Sequence, residues 1–228
     1  TRPVIGSSDI IKNLARDNIM NFFNKWYQPT NMTLACVGNF KHDKIVNLIS
    51  NLFKFENKNS IAIQRNRPIE PNQNNIRVNF KYLPINEIYL NLAYPTCDTY
   101  NQDTTCFDIL GIIYGQGDSS RLYNALKIQK QLVNSVGVIP FSSKDNGILI
   151  TATSLSADNF LIALDEIIDT FHNKKKRDIT ISEIEKARLI VEKEFIYQKE
   201  TSAGLARKYG YFETTFKDET ETDLFGEQ

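Results

Sequence analysis

With 228 residues, 41% of them apolar, and 27 basic side chains against 27 acidic ones, the chain can fill one or two globular cores and carries no formal net charge. That balance excludes electrostatic recruitment to a nucleic acid or an anionic membrane, and the longest basic run, residues 174–177, reads as a solvated turn between helices. No apolar run approaches the roughly 20 residues that a membrane-spanning helix needs.

In chain order, residues 1–56 read as helix, strand, helix. Ile19, Phe22, Phe23 and Trp26 recur at helical spacing as one apolar face, and Ile45, Leu48, Ile49, Leu52 and Phe53 as another. Between them "MTLACVG", residues 32–38, reads as a buried strand with Cys36 in its core. The stretch "ENKNSIAIQRNRPIEPNQNN" loses all period, which makes residues 57–75 a linker. After it, "IRVNFKY" and "EIYLNLAY" alternate apolar and polar at period two, the pattern of half-buried strands.

Residues 105–114, with Phe107, Leu110 and Tyr114 at helical spacing, are expected to form a helix, and residues 119–131 a second one. Between them lies "GQGDSSRL". A phosphate-cradling glycine loop would follow a buried strand, so its position after a helix excludes that role. Gly115 instead reads as the left-handed helix cap, and Asp118 or Ser119 as the next N-cap. A hairpin of "VNSVGVIPF" and "GILITATSL" follows, joined by "KDNG", whose Asn146-Gly147 pair is suited to the positive φ angles of a tight turn. Asp158 is expected to cap a helix burying Phe160, Leu161, Leu164, Ile167, Ile168 and Phe171, and Thr180 with Glu183 to form a capping box opening a long final helix.

The order ββααββαα from residue 76 to 228 implies an α+β fold, an antiparallel-type sheet with helices packed mainly on one face. Cys36, Cys97 and Cys106 make neither a disulfide framework nor a zinc knuckle, and a Cys97–Cys106 bridge across the intervening polar turn is the one pairing left open. His42 and His172 each fall at a helix end, where capping or packing is the expected role.

Four stretches in register carry a family resemblance: "RPVIGSSDIIKNLARDNIMNFFNKWYQPTNMTLACVGNF", "GQGDSSRLYNALKIQKQLVNSVGV", "DNGILITATSLSADNFLIALDEII" and "ITISEIEKARLIVEKEF". Together they resemble the insulinase or pitrilysin family of zinc metallopeptidases, which includes the mitochondrial processing peptidases. The resemblance makes residues 1–56 the C-terminal half of an upstream, zinc-type domain and residues 76–228 a second, non-catalytic domain shortened at its C-terminus. The chain, which starts without a methionine, is accordingly expected to be a piece of a longer protein.

The family holds zinc by His-x-x-Glu-His on a helix and a distant Glu. That motif is not in this sequence, so the resemblance implies zinc only in the upstream domain of the parent protein, no cofactor in this chain, and no activity of this chain alone. Members that grip substrate through the second domain use an Arg and, seven residues on, a Tyr. Here those positions read Lys127 and Asn134, which become the candidate substrate-binding residues; the alternative is an exposed helix residue and a residue leading into a strand, with no role. The implied function is to help enclose and position peptide substrates in a zinc endopeptidase or its inactive partner subunit. The alternative is a non-enzymatic scaffold like the core subunits of respiratory complexes. Implied partners are peptides and a homologous subunit or second copy, and the implied compartment is the bacterial periplasm or envelope, with the mitochondrion as alternative.

Overall fold

The computed structural model describes residues 6–53, 71, 73–173 and 178–216. Along the chain the elements are α1 (Ser8–Lys12), α2 (Arg16–Trp26), α3 (His42–Leu52), β1 (Ile88–Thr96), α4 (Thr104–Gly115), a π-helix (Tyr123–Gln129), β2 (Ser135–Ser142), β3 (Gly147–Leu155), α5 (Phe160–His172), α6 (Ile181–Lys199) and α7 (Ser202–Phe216). They group into two compact units, Thr1–Pro68 with Tyr197–Gln228, and Ile69–Ile196. Most of the expected linker, and the basic run at 174–177, lie outside the described residues.

In the first unit α2 and α3 form where the apolar period places them. Pairs four residues apart stack along α2, Phe22 on Trp26 at 6.0 Å and Phe23 on Tyr27 at 4.7 Å. The strand expected at residues 32–38 does not form: the segment is extended but makes no ladder, and Cys36 is exposed rather than buried. A strand exists only through a neighbour's hydrogen bonds, and no described residue supplies them. It lies beside α7, where a Cβ added to Gly210 would come to ordinary contact distance, 3.7 Å, of the Ala35 methyl.

The second unit is built on a three-stranded antiparallel sheet in the order β1-β3-β2. Along each strand one parity turns inward: Leu90, Thr153 and Val136 form one cross-strand row, Leu92, Thr151 and Val138 the next. Onto this face pack Ile112 and Ile113 of α4, Leu122 and Leu126 around the π-helix, Ala163 and Ile167 of α5, and Ala187 of α6. The α+β fold is therefore as expected, one-sided and closed by helices. Residues 76–82, however, form no strand; Ile76, Phe80 and Tyr82 are largely exposed, because the period-two pattern finds no described partner.

Several local details differ from the sequence expectation. Gly115 ends α4 within the helix and is not left-handed; the positive φ falls two residues later, at Gly117 (+78°). What Gly115 provides is proximity: a Cβ there would stand 2.0 Å from Val138 N, and one on Gly111 would stand 2.8 Å from Pro140 Cδ. The two glycines, one helical turn apart, let α4 rest directly on β2. Helical backbone resumes at Arg121, so Ser120 and neither Asp118 nor Ser119 directly precedes it.

The hairpin turn closes by Ser143, whose N–H and Oγ–H both donate to the Asn146 carbonyl at 2.9 and 2.8 Å, without positive φ at Asn146 or Gly147. Gly147 is required because a Cβ would meet the Cys97 carbonyl oxygen at 2.2 Å. Asp158 lies inside a 3-10 turn, and Asn159 stands at the cap of α5. The single final helix is two, α6 and α7, with Thr201 Oγ1 accepting from Gly204 N at 3.0 Å to start the second.

Substituting alanine at the two neighbouring glycines separates these roles. Gly115→Ala drives a methyl into the β2 backbone and is expected to cost about 3 kcal/mol or more, whereas Gly117→Ala meets open space and costs about 1 kcal/mol of left-handed strain. Urea unfolding of the two variants should show that order.

Candidate functional site

The segment linking α4 to β2 holds the candidate residues, and Arg121 fixes it. Its Nε donates to Glu183 Oε1 at 2.6 Å and an Nη to Glu183 Oε2 at 2.7 Å, a two-point carboxylate grip. The same Nη donates to the Asp178 carbonyl at 2.7 Å, and the guanidinium lies 5.3 Å from the centre of the Tyr114 ring. Glu183 is at the same time the acid of the expected capping box: its Oε2 accepts from Thr180 N at 2.9 Å, and its own N–H reaches Thr180 Oγ1 at 3.3 Å. Hydrogen bonding to Arg121, aided by Thr180, outweighs burial and lowers the Glu183 carboxyl from 4.5 to about 2. Lys186 Nζ donates to Ser119 Oγ, and Lys130 pairs with Glu166 of α5. With Leu122 and Leu126 wholly buried, the π-helix is pinned to α5 and α6.

Lys127 emerges from this pinned helix. Its Nζ donates to the Asn134 carbonyl at 2.7 Å and lies 5.4 Å from the centre of the Tyr123 ring. Asn134, exposed and one residue before β2, gives its backbone N–H to Ser154 O at 2.7 Å and its Nδ2–H to Glu87 Oε1 at 2.8 Å. The two sequence-derived candidates are thus brought together, and Glu87, which sequence reasoning missed, joins them. Glu87 is 47 residues away, and no local motif could have announced it.

Among the described residues no helix covers the other face of the sheet, although Ser154 on it is buried. Its register rows run Tyr89–Ser154–Ser135, Asn91–Ala152–Gly137, Ala93–Ile150–Ile139 and Pro95–Ile148–Phe141. Ser135 and Ser154 share a 2.8 Å hydrogen bond at the first row, while Ile139 and Phe141 are more than half exposed at the far end. The face therefore passes from polar to apolar along the strands.

A separate pocket of about 310 Å³ lies between α4, β2 and α6. Asp108, Gly111 and Ile112 of α4 line it at the i, i+3, i+4 spacing, with Glu194 of α6 opposite. Gln116 Nε2 donates to Glu194 Oε1 at 3.0 Å; burial first, then the Glu194 charge, push the Asp108 carboxyl up from 3.8 although part of that residue reaches solvent. The spacing is that of His-x-x-Glu-His, yet the three positions supply one carboxylate and no imidazole, so this pocket does not fit a catalytic zinc. Among the described residues no three His, Cys, Asp or Glu side chains gather as a metal would require. His172 ends α5 with its ring 6.3 Å from that of Tyr94, and His42 opens α3. Cys97 and Cys106 are both free thiols, which removes the disulfide left open by the sequence.

Compared with known proteins, residues 13–191 match the family model described as "Peptidase M16 inactive domain". The "Zinc protease PqqE" of Helicobacter pylori is 25% identical over 205 residues, covering 89% of this chain and 46% of that protein. The crystal structure of a protease from Helicobacter pylori superposes with a TM-score of 0.84 at 22% identity, over 98% of this chain and 55% of that one. A chain of complex III2 from Candida albicans superposes at 0.69 with 15% identity, over 99% of this chain and 55% of that one. The chain thus spans about half the length of each of these three proteins.

The ion pair gives a pH signature. Because the folded Glu183 carboxyl is depressed, its contribution is complete above the ordinary value of 4.5 and is lost as pH falls toward about 2. Arg121→Ala should lower stability by about 2 kcal/mol at neutral pH, and the gap between wild type and variant should narrow across that acid window to what the Asp178 carbonyl and Tyr114 ring contacts contribute. Urea midpoints at stepped pH check this; a gap that is constant to the acid limit contradicts it.

Proposed function

The chain belongs to the peptidase M16 inactive-domain family, and from that premise we propose that it is the part of a zinc endopeptidase subunit that encloses and positions peptide substrates without carrying the chemistry. The observation that carries this reading is the one-sided sheet: helices cover one face, and the other presents Tyr89, Ile139 and Phe141 to solvent. An unfolded peptide can lay its side chains on such a floor at little sequence cost, since apolar burial is non-directional. At the polar end Lys127 and Asn134 are the residues proposed to meet the peptide.

The residues of this chain supply binding, orientation and exclusion of water; zinc and the attack on the peptide bond belong to the zinc-type domain of the parent. In that reading residues 1–56 are the closing half of the zinc-type domain, residues 57–75 the linker and residues 76–228 the non-catalytic domain. The exposed apolar side chains of the first unit, Phe22, Leu34 and Leu52 among them, suit a segment that packs against further protein, whether the parent's own domain, a homologous subunit or a second copy. The fold likeness to a complex III2 chain favours a second reading, a scaffold with no peptide turnover.

In the full-length protein, Phe141→Asp is expected to raise KM for a quenched fluorescent peptide about tenfold, the worth of one buried aromatic contact, with kcat changed less than about twofold. Unaltered KM in a folded variant contradicts the open face as a substrate wall, and wild-type protein that turns over no peptide supports the scaffold.

A further inference from the structure

The pocket between α4, β2 and α6 lies on the helix side of the sheet, and its walls are of two kinds. Gly111, Ile112 and Val138 are buried and, with Pro140 and Val191, give it an apolar floor. Gly111 keeps that floor shallow, because α4 rests there on the Pro140 ring with no side chain of its own. Around the floor stand Asp108, Gln116 and Glu194, each of which also reaches solvent.

The polar side of the pocket is acidic and has no counter-charge. Asp108 makes no hydrogen bond or ion pair among the described residues, and none of the described Lys, Arg or His side chains lines the cavity. Gln116 Nε2 donates to Glu194 Oε1 at 3.0 Å, which leaves Glu194 Oε2 and the Gln116 oxygen able to accept. The two carboxylates, on different helices and lining one cavity, repel each other: burial first and then the Glu194 charge push Asp108 up. A cation placed between them turns that repulsion into two attractions.

Size and floor narrow the choice of cation. A volume of about 310 Å³ is at the lower end of ligand pockets and suits a guest the size of one side chain. A divalent metal needs oxygen or nitrogen ligands on every side, and the aliphatic floor supplies none. An ammonium on an aliphatic stem matches both walls, since its three N–H groups meet three acceptor groups while the stem lies on carbon.

We propose that this pocket binds a primary alkylammonium group, with Asp108 and Glu194 holding the ammonium and Ile112, Val138, Pro140 and Val191 its stem. Lysine side chains and free alkylamines share that chemistry. The site lies on the opposite side of the sheet from the face proposed to meet peptide and does not depend on that reading.

The test is a saturation-transfer NMR titration of the full-length protein with n-pentylammonium, Nα-acetyl-lysine methylamide and, as the uncharged match, n-pentanol. At least one of the two amines should bind about tenfold or more tightly than the alcohol, the worth of a charge-assisted hydrogen bond. Asp108→Asn and Glu194→Gln keep shape, and the second keeps an acceptor for Gln116. Each should weaken amine binding about tenfold and leave the alcohol unchanged, with the thermal melt as the check on folding. Preference for the lysine derivative supports the site with a protein side chain as guest, and preference for pentylammonium supports it with a free amine. Equal binding of amine and alcohol, no saturable amine binding, or amine binding that both folded variants retain overturns the proposal.

Discussion

The grip of Arg121 on Glu183 joins segments 62 residues apart, and much of the second unit depends on it. One guanidinium closes the connection leaving α4, and the same carboxylate starts α6 through the Thr180 box. A single side chain, Glu183, thus serves two ends: it accepts the Thr180 N–H at the start of α6 and holds Arg121, which leads into the π-helix that presents Lys127. Removing Arg121 would loosen both at once, because the carboxylate would lose the cation that keeps it charged in a partly dry setting.

Close packing does the rest. Gly115 lets α4 approach the β2 backbone at Val138 and Gly111 lets it rest on the Pro140 ring, so α4 lies close on the inward face of the sheet. The other face is the one that the described helices leave uncovered. On it, the alternation of each strand sorts Ser135 and Ser154 to one end and Ile139 and Phe141 to the other. The pocket on the helix side is lined by carboxylate, amide and aliphatic side chains, a donor set that does not suit a catalytic zinc.

What the sequence revealed follows from how local each cause is. The capping box at Thr180 and Glu183, the hairpin of β2 and β3 and the helices α2, α3 and α5 depend on neighbours a few residues apart, and all form, although of the face expected to be buried on α5 Leu161 and Ile168 are exposed. The strands expected at residues 32–38 and 76–82 have the right period but no described ladder partner, and period alone does not make a sheet. The glycines misled for a related reason. A glycine can be needed for its φ or for its missing Cβ, and only the tertiary contact of Gly115 with Val138, or of Gly147 with Cys97, tells which. Of the candidate site, the family resemblance offered Lys127 and Asn134, and the Lys127 ammonium does reach the Asn134 backbone carbonyl; Glu87 could not be offered, since it arrives across the sheet.

In the proposed reading this chain holds peptide and leaves the cutting to the zinc-type domain of the parent. Metal analysis of the chain after dialysis, taken together with its turnover of a quenched fluorescent peptide, tests that claim most directly. The account predicts no stoichiometric zinc and no turnover by the chain alone; roughly one tightly held zinc per chain with peptide cleavage would contradict it.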